Sequence, residues 1–130
     1  MSFIYLASPY SHNDFNIRYN RFQQASEAVL EISRTGVPVY SPIVHWHSIA
    51  TEQGLPYDAH FWRAQNEPLI TACDELWVLC IEGWRQSKGI ELEKDFARKL
   101  NLTVRNLTLS SLGVTTAIYK AALLKLASEG

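Results

Sequence analysis

Short unbroken apolar runs alternate along this chain with longer stretches in which apolar residues recur at helical spacing. Phe3-Ile-Tyr-Leu-Ala7 is the first such run, and Ser8-Pro9-Tyr10-Ser11 breaks it. Phe15, Tyr19, Phe22, Ala25, Val29 and Ile32 then recur every three or four residues among Asn16, Arg18, Gln23, Glu27 and Glu31. That period predicts an amphipathic helix. Capping types Ser11, Asn13 and Asp14 mark its start, and Gly36 marks its end. Val37-Pro-Val-Tyr40 predicts a second strand, and its proline points to a strand start or a sheet edge. From Ser41-Pro42 the pattern lapses, and Gly54 and Pro56 predict an irregular loop. A helix from Tyr57 or Asp58 to Cys73 follows, with a kink or break expected at Pro68. Leu76-Trp-Val-Leu-Cys-Ile81 is short, continuous and rich in strand formers, and predicts a buried strand.

The next stretch, Gly83 to Ala97, organises the rest. Ser87 and Gly89 fall on the tight turn between the strand and a charged helix ending near Leu100-Asn101. Ile90, Leu92, Phe96, Ala97 and Leu100 are its apolar positions. Glu93 lies three residues after Ile90 and four before Ala97, so it shares their face. Glu91, Lys94, Asp95 and Arg98 can point to water. With Ser87 as N-cap the third helical residue is Ile90, so a capping box does not account for Glu93. The helix dipole favours its ionised form and burial opposes it. Two readings stay open: a half-buried carboxylate paired with an arginine or backbone donor, or one aimed at a ligand.

Leu102 to Leu109 alternates as a fourth strand, Ser110, Ser111 and Gly113 make a turn, and Val114 to Ala127 is a closing helix. This β-α-β-α-β-α-β-α order predicts an α/β fold. Its outline is three-layered, flavodoxin-like or Rossmann-like, with a parallel sheet of four to five strands, helices on both faces and right-handed crossovers. No repeat, linker or low-complexity segment interrupts residues 1–130, which predicts one domain.

Ligands of such sheets bind at the carboxyl ends of the strands. There the order gathers Ser8, Pro9 and Tyr10, the segment Ser41 to His47, the Glu82 to Gly89 loop, and Ser110-Ser111. Ser87-Lys88-Gly89 has the chemistry to hold a phosphate through backbone amides and a hydroxyl, though it is no Walker A loop. His45 and His47 are either two metal ligands or neutral imidazoles that bond a ligand or cap the loop. Only Asp58 and His60 follow them, and no metal is assigned. Trp46, Trp62 and Trp84 are either core residues or faces for a planar ligand. Cys80, in mid-strand, is a poor nucleophile, and no Ser-His-Asp order or Cys-His pair presents itself.

Composition narrows the classes. The chain has 130 residues and is 47% hydrophobic, enough for a packed core. Its net charge of -1 and lack of a basic tract argue against polymeric nucleic acid as partner. No run approaches the ~20 apolar residues of a membrane span. The first residues lack a basic n-region and read as a strand, not a signal peptide. Cys73 and Cys80 read as reduced thiols of a cytoplasmic protein. Exposed aromatics and the apolar last helix predict a homodimer or higher homo-oligomer. No cofactor is implied.

The segments Ile4-Tyr5-Leu6-Ala7-Ser8-Pro9, Cys73-Asp74-Glu75-Leu76-Trp77-Val78 and Gly83-Trp84…Ser87-Lys88-Gly89…Glu93…Ala97 resemble the nucleoside 2-deoxyribosyltransferase-like superfamily. Within it the chain is most similar to the small bacterial and phage proteins grouped as DUF1937, and more distantly to the 2′-deoxynucleoside 5′-phosphate N-hydrolase. The similarity runs over about residues 3 to 109, and Ser-x-Gly-x-x-x-Glu is its most specific part. It implies chemistry at the N-glycosidic bond of a nucleoside or nucleoside 5′-monophosphate. By the resemblance Glu93 is the nucleophile, Tyr5 orients it, and Ser87 and Gly89 contact phosphate. A carboxylate in that role forms a glycosyl-enzyme that water or a second base resolves. The family usually places an aspartate four residues after a tryptophan, to bind substrate or protonate the leaving base. Here Asn66 stands four after Trp62, and an amide cannot act as an acid. Either His45, His47 or Asp58 substitutes, or the protein is a weak enzyme or a non-catalytic nucleotide-binding module. A serine near the last helix reaches a neighbour's phosphate in the hydrolase; Thr116 is its loose counterpart here, with Ser110 and Ser111 as rivals.

Overall fold

The structure is a computed structural model that describes residues 2–129. The chain runs β1 (Ile4–Ala7), α1 (Phe15–Arg34), β2 (Val39–Tyr40), α2 (Pro42–Gln53), α3 (Ala59–Ala72), β3 (Glu75–Leu79), a 3₁₀ turn (Trp84–Gln86), α4 (Lys88–Lys99), β4 (Thr103–Leu107) and α5 (Leu112–Glu129). The four strands are parallel, in the order β2-β1-β3-β4. Val37-Pro38 precedes the short edge strand β2, and the Pro38 carbonyl accepts from the Ile4 amide at 2.9 Å. An edge strand tolerates a residue with no N–H to give.

Strand alternation splits the core in two. Ile4, Leu6, Trp77 and Leu79 face Ala28 and Ile32 of α1 and Leu112 and Tyr119 of α5. Tyr5, Ala7, Leu76 and Val78 face Ile70 of α3 and Ile90 and Ala97 of α4. Helices thus cover both faces, and the α/β three-layer architecture is the one the alternation of elements predicts. After β1 the chain crosses to one side to form β2, then returns past β1 to form β3. The carboxyl ends of β1 and β3 are therefore left without a connection bridging them, and a crevice opens there.

Two local expectations do not hold. The segment after Ser41 is not a loop but helix α2. Ser41 is its N-cap, its Oγ accepting from the Val44 amide at 3.2 Å; Pro42 occupies the first turn, and Gly54 ends it at φ 64°. Proline and glycine here punctuate a helix instead of breaking one. Nor does Pro68 break α3, which runs without interruption from its cap at Asp58 to Ala72. Ala64 and Pro68 are both exposed, so water can serve the carbonyl that the proline leaves free.

Candidate functional site

The crevice is an open cleft past the end of β1, walled by α2, α3 and α4, with about 790 Å³ of empty space when the solvent at its mouth is included. Its floor is Glu93. Ser87 caps α4, its Oγ accepting from the Ile90 amide at 3.2 Å, and that fixes the phase of the helix. One and a half turns on, Glu93 points inward and is only 8% exposed. The carboxylate finds no arginine. Its partner is Tyr5 on the neighbouring central strand, whose hydroxyl donates to Oε2. Oε1 has no hydrogen-bond partner among the described residues and is not sealed from solvent. A methyl group built on Gly89 would lie 3.9 Å from Oε1, so the glycine leaves open the space beside that oxygen.

Burial decides the charge state. It pushes the Glu93 carboxyl up to about 7, while the Tyr5 hydroxyl pulls the other way without winning. Tyr5 is raised well above its ordinary value, first by burial and then by the carboxylate beside it, so it stays a donor. Near neutrality Glu93 therefore sits between its two forms, able to be a nucleophile or to hold a proton.

The walls carry polar groups with nothing to bond. Ser8 Oγ, just past β1 in a residue 4% exposed, is buried without a partner, and so is Asn66 Oδ1 on α3. Both residues line the cleft. Trp46 Nε1 is also buried and unpartnered. Native interiors satisfy most such atoms, so an orphaned group at a cleft wall points to a ligand or water that completes it. Aromatic rings make the rest of the wall. Trp46 and Trp62 pack with centroids 5.1 Å apart, and Tyr10, Tyr57 and Phe96 join them. Deeper in, Phe22 stacks on His47 at 4.2 Å, and the Tyr10 hydroxyl lies 2.6 Å from His47 Nδ1. Burial, helped by Arg18, lowers the His47 pKa, so this ring is neutral at pH 7.

The structure brings Ser8, His47, Trp62, Asn66, Ser87, Gly89 and Glu93 to the cleft, with Tyr5 beneath them. Other residues named from the sequence are not brought to its lining, among them Asp58, which caps α3, and Ser110 and Ser111. Pro9 is fully buried beside it. Ser41 is spent on capping α2. His45 is exposed on α2 against Tyr40 and Trp46, because residues two apart on a helix face opposite ways. That phase also separates it from His47, and among the described residues no three His, Cys, Asp or Glu side chains gather as a metal-holding group. Trp84 lies on the other side of the α4 start, under Arg85 and Lys94. Thr116, 1% exposed, returns its hydroxyl to the Leu112 carbonyl inside α5. Burial lifts the Cys73 thiol to about 11, which leaves it inert.

Tyr57, Arg63, Glu67, Leu92 and Phe96 line the cleft without having been singled out. A signal existed for α2: Ile43, His47 and Ala50 are one buried helical stripe. It is hidden only if histidine is counted as polar.

A family model described as a domain of unknown function, DUF1937, matches residues 2–108. No curated protein matches the chain.

Proposed function

The chain belongs to the DUF1937 family, and for this member we propose N-glycosidic bond cleavage, by hydrolysis or by deoxyribosyl transfer, on a nucleoside or nucleoside 5′-monophosphate. The observation that carries the reading is the divided carboxylate of Glu93: Oε2 held by Tyr5, and Oε1, without a partner among the described residues, at the floor of the cleft. The kinship with nucleoside 2-deoxyribosyltransferase-like enzymes is part of the proposal.

In this mechanism the ionised Glu93 attacks the anomeric carbon through Oε1. The Tyr5 hydroxyl keeps the carboxylate in one rotamer, so little freedom is lost on reaction. The glycosyl-enzyme is resolved by water, or by a second base in transfer. The start of α4, with Ser87 and Gly89, offers amides and a hydroxyl to a 5′-phosphate, and the unpartnered Ser8 hydroxyl lies in the same cleft. The trait that favours a second reading, a nucleotide-binding module without chemistry, is the amide of Asn66 where a proton donor would help. Incubation with common nucleosides and their 5′-monophosphates, followed by chromatography for free base, separates the two. Base released by the wild type and not by Glu93→Gln is expected. Tight calorimetric binding with no base released from any compound would favour the module.

A second copy of this chain is the proposed partner. Val114, Ile118, Leu124 and Leu126 are large apolar side chains left exposed on α5. Sedimentation at two concentrations reads the association. No helix among the described residues is long and apolar enough to cross a membrane.

A further inference from the structure

The side chains that line the cleft and carry titratable protons are Tyr10, His47, Tyr57, Arg63, Glu67 and Glu93 among the described residues. None is an acid poised to protonate a departing base. Glu93 is taken up as the attacking group. Glu67 is tied to Arg63 at 3.0 Å, one turn apart on α3. His47 has one ring nitrogen against the Tyr10 hydroxyl and a face against Phe22. Tyr10, raised by burial, keeps its proton. The wall position on α3 nearest in kind to an acid is the Asn66 amide, whose oxygen has no partner.

The remaining features favour positive charge on the ligand's ring. Of the two carboxylates in the lining, Glu67 is offset by Arg63 at 3.0 Å and Glu93 has no such cation. The Trp46, Trp62 and Phe96 rings supply π faces, which attract a desolvated cation, whereas the Tyr57 ring already carries the Arg18 guanidinium 4.3 Å from its centroid. Close by, the Ser87-Gly89 start of α4 suits an anion.

Resting on the reading of Glu93 as nucleophile, we infer that the preferred substrate is an N-ribosylpyridinium or similarly quaternised nucleotide, whose base departs without needing a proton. The balance is simple. The Glu93 Oε1–C1′ bond forms as the C1′–N bond breaks, and the electron pair of that bond neutralises the ring nitrogen. Water then attacks C1′, the Oε1–C1′ bond breaks, and one proton goes to solvent. The products are free pyridine and the sugar phosphate. A neutral purine or pyrimidine leaves as an anion unless protonated, and lacking a general acid costs such a substrate ~10²–10⁴-fold.

The test compares nicotinamide mononucleotide with adenosine, inosine and cytidine 5′-monophosphates, for the wild type and for Glu93→Gln. Free base is quantified by chromatography, and thermal melting confirms that the variant is folded. The expected result is nicotinamide release with kcat/KM at least ~10²-fold above that for any neutral-base nucleotide, lost in Glu93→Gln. Comparable or faster Glu93-dependent release from a neutral-base nucleotide overturns this inference and leaves the glycosidase reading standing. No release from any of the four overturns this inference, and the glycosidase reading then stands or falls on the wider panel of nucleosides and 5′-monophosphates given above.

Discussion

Replacing Glu93 by glutamine should stabilise the protein in alkaline solution and do little in acid. The perturbation is nearly isosteric, and a glutamine oxygen can still accept from Tyr5. The magnitude follows from the carboxyl pKa, which rises from 4.5 to about 7 on folding. Because the folded state holds the proton more tightly, the stability due to protonated Glu93 is complete below about 4.5 and is lost as pH climbs through about 7. Above that, keeping the charge buried costs about 3 kcal/mol. Linkage places about 0.8 kcal/mol of that loss at about pH 5 and the rest by about pH 8, a span of roughly 2.5 kcal/mol. Wild-type and variant urea curves at those two pH values read the difference, and titration of other carboxylates cancels between them. In melting temperature the alkaline gain is on the order of 8 °C. A difference between the two proteins that stays flat with pH, or a variant weaker than wild type at alkaline pH, would refute the claim that Glu93 is a desolvated, unpaired acid. Loss of base release in the same variant would then mark a site that gives up stability for chemistry.

Three other outcomes are expected. Tyr5→Phe removes the one hydrogen bond among the described residues that lowers the Glu93 pKa. The pH–rate midpoint, near 7 and rising with pH in the wild type, moves to higher pH, and the unpaired oxygen costs about 1–3 kcal/mol of stability by urea titration. Gly89→Ala meets only ordinary contacts, 3.7 Å from Ser87 Oγ and Ala59 Cβ, and no left-handed backbone. Melting should hold steady or rise by the ~1 kcal/mol preference of helices for alanine. Base release should fall by ~10²-fold as the methyl displaces the sugar from Oε1. Ser41→Ala deprives α2 of its cap and should cost about 1 kcal/mol in denaturant midpoint, checking that this segment is a helix and not a loop.

The architecture was legible because each strand and helix announces itself locally. The β1 run, and the β3 run after Glu75, are continuous and fully buried, as strands covered on both faces must be. The helical phase of α4, legible from the spacing of Ile90, Glu93 and Ala97, is enough to aim Glu93 inward. What misled was local too: Ser41-Pro42 and Gly54 are equally the marks of a loop and of the two ends of a helix, and burial of His47 among Phe15, Tyr19 and Phe22 is what tips the balance. Those rings belong to α1, some thirty residues earlier, so no window along the chain could weigh them.

By itself the sequence determined the alternation of strand and helix, the turn at Ser87 and Gly89, and the side of α4 on which Glu93 lies, since all of these depend on spacing between near neighbours. Only the tertiary structure decided the carboxylate's company and its charge. Tyr5 meets Glu93 across 88 residues because the strand order sets β1 against the face that α4 covers. Desolvation then exceeds that bond, because it sums over every surrounding element while the bond acts through one contact.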